Sequence, residues 1–200
     1  MTMASNIMVS VNAYITTSAP PSPRLSRMIL RYQKAFLLDH GGFYQKGLIL
    51  DNDGFDEIHV DVEDIDESLN QQTSYAYNIT AKDTSLYVTA DTIYGVGYAL
   101  ETLSQMLSKE RTLPASFTVV DSPAYNHRGF MIDTGRRFVP LNTILNNLDA
   151  MAMTKLNILH LHFADWCRFA IESDYFPQLT STLTDDQSGF YTKEEVQQMI

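Results

Sequence analysis

Two hundred residues, 44% hydrophobic and 19% charged, are enough for one large domain or two small ones with a real core. The net charge of −10 argues against a nucleic-acid partner and against anionic membrane surfaces, because phosphate recognition needs clustered Lys and Arg. No apolar run approaches the ~18 residues of a membrane span, the single cysteine, Cys167, allows no intrachain disulfide, and MTMASNIMVSVNAYITTSAPP shows no signal peptide.

The alternation Ile7, Val9, Val11, Ala13 predicts an edge strand over Ile7–Ile15. Ser18–Pro23 is a linker. Leu25, Met28, Ile29, Tyr32, Phe36 and Leu37 fall at helical spacing, started by Ser22 or Pro23 and stopped by Gly41-Gly42. From Asp51 to Glu67 the chain holds nine carboxylates and no Lys or Arg, which reads as a solvated loop and strand edge. Strands are expected over Glu57–Val62, Tyr75–Ala81 and Ser85–Ala90, with turns at Asn70–Gln72 and Lys82–Thr84. Asp91 or Thr92 caps a helix to about Leu107, with Ile93, Val96, Leu100, Leu103 and Leu107 as its buried stripe. Gly95 and Gly97 suggest close approach of that helix to the sheet. A short strand over Ser116–Val120 closes an α+β domain, residues 1–121, and Asp121-Ser122-Pro123 marks the boundary.

Residues 124–200 begin again. An apolar strand over Phe130–Thr134 leads to Pro140 at the first position, N1, of a helix whose apolar face is Leu141, Ile144, Leu145, Leu148, Met151 and Ala152. Leu156–Phe163 is a second strand, so the stretch is a βαβ unit. A loop of about 25 residues follows, and Thr192 with Glu195 forms a capping box for another helix.

Both strands of this unit end in ionisable residues, where parallel α/β folds carry their chemistry. Arg136 follows the first strand, and its planar fork suits hydroxyls or a carboxylate, although a salt-bridging surface arginine fits equally. Asp133 is placed to hold Arg136, and Arg128, at the opposite end of the strand, suits a structural ion pair. His160 and His162 share one face of the second strand. They read either as metal ligands at a barrel mouth or as hydrogen-bonded groups beside a polar pocket. Asp165 closes that strand and can bind hydroxyls or orient a histidine. Trp166 and Phe169 offer an apolar face to a sugar ring, or simply loop packing. Cys167 is as well suited to a buried inert role as to a reactive one. Asn78-Ile79-Thr80 fits a glycosylation sequon, set within a predicted strand.

In order along the chain, HRGFMIDTGRRFVP, MTKLNILHLHFAD, IESDYFPQLT and YTKEEVQQMI resemble family 20 glycoside hydrolases, the β-N-acetylhexosaminidases. The helix containing Ala99–Gln105 and the lead-in Val119–Pro123 are similar to that family's non-catalytic α+β domain, so the likeness covers nearly the whole chain. The resemblance implies an α+β N-terminal domain followed by the first two βα units of an incomplete (β/α)8 TIM barrel. It implies that Arg136, Asp165 and His162 bind the terminal sugar or orient catalytic partners. The chain departs from the family pattern at Gly135, Arg137 and Trp166-Cys167-Arg168. The family's reaction is removal of terminal N-acetylglucosamine or N-acetylgalactosamine, with the 2-acetamido oxygen attacking the anomeric carbon and a Glu serving as acid, then base.

That Asp-Glu pair belongs to a later barrel strand. Asp56-Glu57 and Asp66-Glu67 lie in the first domain and do not match it, so these 200 residues hold no catalytic residue and are expected to be inactive alone. The family needs no cofactor and no metal. It implies N-acetylhexosamine-terminated glycans as substrates, a homodimer as an option for the full-length enzyme, and a lysosomal or secreted life. Two other readings stay open: a metal-dependent barrel hydrolase using His160 and His162, and a non-catalytic carbohydrate-binding or interaction module built on the α+β domain. A barrel cut after two strands also predicts that 124–200 is unstable alone, whereas 1–121 folds.

Overall fold

The computed structural model describes residues 6–37, 54–108, 112–166, 168–181 and 189–200. The side chains of 6–13 and 35–37 are not described. The expected helix stop at Gly41-Gly42 and the reading of Cys167 lie outside the described residues. The chain divides into two compact units, Met1–Asn126 and His127–Ile200.

Among the described residues, the first unit is a six-stranded mixed sheet with two helices. Its elements are β1 (Asn6–Thr17), α1 (Pro23–Leu37), β2 (Phe55–Asp64), β3 (Tyr77–Lys82), β4 (Ser85–Thr92), α2 (Ile93–Met106), β5 (Thr112–Pro114) and β6 (Phe117–Asp121). Strand order is β5-β1-β2-β4-β3-β6. β1 is therefore not an edge strand. It runs parallel to β2, with Ile15 opposite Ile58, and antiparallel to β5, with Ile7 opposite Leu113. The short strand β5, with only Leu113 fully buried, carries too few residues for an alternation to be read. Asn70–Gln72 is the expected turn, with the Thr73 amide on the Asn70 carbonyl at 3.2 Å, but it does not join neighbouring strands. β4 lies between β2 and β3, so the connection after β2 carries the chain past a strand position before β3 returns antiparallel to β4. The true hairpin is β3–β4, turned at Asp83-Thr84 with Asp83 at φ 55°, a conformation that Asp tolerates better than most residues.

α2 follows its sequence pattern closely. Thr92 accepts hydrogen bonds from the amides of Tyr94 and Gly95, and Ile93, Val96, Leu100 and Leu103 are fully buried. Each such side chain contributes roughly 1.5–3 kcal/mol by leaving water. A Cβ on Gly95 would stand 2.6 Å from the Ala76 carbonyl oxygen, so this glycine does admit the sheet. Gly97 serves the other helix instead, where a Cβ would meet the Met28 sulfur at 2.8 Å. Between the helices, buried Glu101 accepts from the Tyr32 hydroxyl at 2.8 Å and from Gln105 Nε2 at 2.8 Å. Burial, then the neighbouring carboxylate, push the Tyr32 hydroxyl far above its ordinary range, so it remains a donor.

One member of the acidic run is structural. Ser22 caps α1 through the Leu25 amide at 3.1 Å, and Glu67 completes the cap, accepting from the Ser22 hydroxyl at 2.6 Å and the Arg24 amide at 2.8 Å. These bonds hold the Glu67 carboxyl below its ordinary value of 4.5, the Ser22 hydroxyl first and the Arg24 amide second. A carboxyl whose folded pKa is depressed adds stability above the unfolded value and loses it as pH falls through the folded one. Glu67→Gln is therefore expected to lower the thermal midpoint of the first unit at neutral pH. The gap to the parent should close under acid, as followed by circular dichroism melts across pH 2–7.

The second unit has β7 (Gly129–Asp133), α3 (Leu141–Met153), β8 (Ile158–His162), a hairpin of β9 (Ala164–Asp165) and β10 (Arg168–Phe169), a 3-10 turn at Pro177–Leu179, and α4 (Lys193–Gln198). β7 and β8 are parallel, with α3 as the crossover. Pro140 is the residue before the helix, its carbonyl accepting from the amides of Thr143 and Ile144. α3 ends with the Leu156 amide on the Met151 carbonyl and the Lys155 amide on that of Ala152, with Lys155 at φ 57°. This is a Schellman cap with lysine where glycine is usual. It takes Leu156 out of the strand, which explains why β8 starts later than its apolar run. Thr192 and Glu195 make the expected reciprocal capping box. The buried set here is small among the described residues, with Ile144, Met151, Ala170 and Tyr191 as its apolar members, while Met131 and Met153 stand exposed.

Candidate functional site

Register assembles the site. β7 and β8 pair with Asp133 opposite His162, so both polar strand ends fall at the same carboxyl end. Gly129 permits the pairing, since a Cβ there would lie 2.4 Å from the Ile158 carbonyl oxygen. At the other end of the strands, Arg128 and Asn157 clasp them. The Arg128 amide donates to Asn157 Oδ1 at 2.9 Å, the Asn157 amide to the Arg128 carbonyl at 2.7 Å, and Arg128 Nε to the Lys155 carbonyl at 3.0 Å.

Past Asp133 the chain turns back over β8. The Gly135 amide donates to the His162 carbonyl at 2.6 Å and the buried Thr134 hydroxyl to the same oxygen at 3.2 Å. A Cβ at position 135 would meet that oxygen at 3.1 Å and the Ala164 carbonyl carbon at 3.0 Å, so glycine suits the tight return. Asp133 Oδ1 then accepts from the Arg136 amide at 2.9 Å, and Oδ2 accepts from the guanidinium. The Arg136 amide first, then its side chain, hold the Asp133 carboxyl below the usual carboxylate range.

The other arm of the guanidinium reaches β9, where Nη2 lies 2.9 Å from Asp165 Oδ2. His162 Nε2 lies 3.6 Å from that oxygen and is buried without a hydrogen-bond partner among the described residues. Arg136 itself is 69% exposed and Asp165 only 15%. The arrangement is a carboxylate, a guanidinium and a second carboxylate in a line, with an imidazole alongside. It presents donors and acceptors side by side, which is what a polyhydroxylated ligand requires.

Arg136, Asp165 and His162 thus come together, and Asp133 holds Arg136 in place. His160 shares the face of β8, its ring 6.5 Å from that of His162, but it stands opposite Met131 and takes no part in the cluster. The set with metal-ligand spacing is Asp133, His162 and Asp165, whose ligand atoms lie within 4.8 Å of one another. Arg136 engages both carboxylates, so the cluster already holds a fixed cation. Trp166 is 95% exposed beside Asp165, its amide on Asp165 Oδ1 at 2.7 Å, and its side chain is not packed in the loop among the described residues.

Tyr191 escaped the sequence reading. It is fully buried, its hydroxyl donates to the Val139 carbonyl, and its ring lies 5.0 Å from Phe138 and 5.6 Å from Phe163. Its amide donates to the Ala170 carbonyl and its carbonyl accepts from Glu172. It therefore ties the segments after β7, β8 and β10 together. The signal was available, because Tyr191 precedes a capping box, where an apolar residue commonly packs back on the helix.

Residues 125–200 match the model of the glycosyl hydrolase family 20 catalytic domain. The chain is 36% identical over 136 residues to the β-hexosaminidase β subunit of Felis catus, covering 66% of this chain and 25% of that protein. It is 36% identical over 135 residues to the β-hexosaminidase α subunit of Rattus norvegicus, covering 66% and 26%. Both alignments are longer than the second unit and reach into the first. The chain spans about a quarter of the length of these relatives. Among solved structures, a chitobiase from Flavobacterium johnsoniae superposes with a TM-score of 0.79 at 26% identity, over 98% of this chain and 30% of that one. The catalytic-domain sequence of glycosyl hydrolase family 20 thus runs through the very strands that carry Arg136, His162 and Asp165, in a chain whose relatives named above are β-hexosaminidases.

Proposed function

We propose that these residues are the front of a β-N-acetylhexosaminidase that removes terminal N-acetylglucosamine or N-acetylgalactosamine from glycans, in a lysosomal or secreted setting. Residues 1–121 are its non-catalytic α+β domain. Residues 124–200 open its catalytic (β/α)8 barrel, β7–α3 and β8–α4 being the first two βα units. The catalytic-domain match over residues 125–200 supports this reading, as does the crossover that makes β7 and β8 parallel neighbours.

The observation that carries it is the line Asp133–Arg136–Asp165 at the carboxyl ends of adjacent parallel strands. Arg136 donates to hydroxyls of the terminal sugar and Asp165 accepts from them. His162, whose buried Nε2 lies 3.6 Å from Asp165 Oδ2, steadies Asp165. Asp133 fixes the arginine and does not meet the sugar. Bond breaking is the work of the substrate's own acetamido oxygen and of a Glu outside these 200 residues, with retention at the anomeric carbon.

A chromogenic N-acetyl-β-glucosaminide tests the proposal. The full-length enzyme is expected to turn it over with retained anomeric configuration, and a polypeptide of these 200 residues to give none. Turnover by the 200-residue chain, or inversion by the full enzyme, would sink the reading. Stoichiometric zinc in the purified protein would favour the metal-dependent alternative.

A further inference from the structure

One motif remains unused by the hydrolase reading. Asn78-Ile79-Thr80 is the only Asn-x-Ser/Thr sequence in the 200 residues. It lies on β3, between β4 and β6. Tyr77 and Ile79 of that strand are buried in the core, so Asn78 and Thr80 point to the opposite, open face of the sheet. Asn78 is exposed, and its Nδ2 has a long contact of 3.4 Å to Thr89 Oγ1, too weak to lock the amide.

The surroundings of Asn78 are unusual for a polar sheet face. Directly opposite on β6 is Val120, 79% exposed. Diagonally across on β4 is Tyr87, 42% exposed and stacked on His59 with ring centroids 5.0 Å apart and planes at 16°. An apolar methyl pair and a fixed aromatic ring therefore flank the amide on the two neighbouring strands, within reach of a group attached to it. We propose that Asn78 is the acceptor of an N-linked glycan, whose first sugars lie over Val120 and Tyr87.

The donor is a lipid-linked oligosaccharide diphosphate. Asn78 Nδ2 displaces the diphosphate at the anomeric carbon of the first sugar. The new bond is N–C1, the C1–O bond to phosphate breaks with its electron pair on the leaving lipid diphosphate, and the amide proton passes to a base of the transferase. Thr80 supplies the hydroxyl that the acceptor motif requires. The attached chain projects from the face away from α1 and α2, so it costs the core nothing.

The test is expression of the full chain behind a secretory leader in a eukaryotic cell, with intact-mass and peptide mass spectrometry. The expected result is a gain in mass that peptide:N-glycosidase removes, leaving aspartate at position 78. Asn78→Gln and Thr80→Ala should abolish the gain and Thr80→Ser should keep it. Transfer precedes folding, so the readout stands whether or not a variant folds. Unmodified Asn78 in chains recovered from the secretory lumen, or a glycan persisting in Asn78→Gln, would overturn the proposal. Neither result bears on the hydrolase reading, which rests on other residues.

Discussion

Replacing Arg136 by alanine is expected to lower kcat/KM of the proposed full-length hexosaminidase by roughly 10²–10³-fold, through two losses. Hydrogen bonds from a charged donor to sugar hydroxyls are worth about 1.5–3 kcal/mol each, and each 1.36 kcal/mol is about tenfold in rate. The change also leaves Asp133 and the largely buried Asp165 without the cation that now joins them. Arg136→Lys keeps the charge but not the planar fork and should recover only part of the loss. Asp133→Asn should cost less than either, because Asp133 acts through Arg136. The measurement is steady-state kinetics on chromogenic N-acetyl-β-glucosaminide, with circular dichroism to confirm folding. An Arg136→Ala enzyme within threefold of the parent would remove Arg136 from the sugar site.

The second large effect is structural. Tyr191→Ala should destabilise the second unit by about 3–5 kcal/mol, the range for deleting a large aromatic side chain from a packed site. The ring has both Phe138 and Phe163 against it, and few other apolar side chains of this unit are fully buried. Tyr191→Phe keeps the ring and loses only the hydroxyl's bonds to the Val139 carbonyl and the Thr134 side chain, costing about 1 kcal/mol each. Limited proteolysis of the full-length protein separates the two. In Tyr191→Ala, cleavage within His127–Ile200 should accelerate while fragments of Met1–Asn126 persist. Equal rates for the two variants would show that the ring is not what holds this unit.

Much of this was legible because local patterns coincide with burial. The Ile93–Leu103 stripe became the buried face of α2 without a shift in register, and His160 with His162 fell on one face because strands alternate. Strand neighbours were not legible. Nothing in Ile7–Ile15 tells β1 that a three-residue strand beyond Leu107 will cover its outer edge. The acidic run looked uniformly solvated because charge patterning cannot tell which carboxylate meets an amide, and Glu67 finds its partners at Ser22 and Arg24. The site was half visible. Strand ends pointed to Arg136 and Asp165, but their meeting depends on the register of β7 on β8 and on the turn over residues 133–136, neither of which hydrophobic periodicity records.

The shared cap of α1 bears on the order of folding. Its near half, Ser22 to the Leu25 amide, can form as soon as the helix does. Its far half spans 45 residues and waits until β2 has been laid down and left behind. Closing a loop of that size carries an entropic cost before the contact repays it. The start of α1 therefore consolidates late, and the acidic stretch after β2 works as a latch on a helix that the chain completed much earlier.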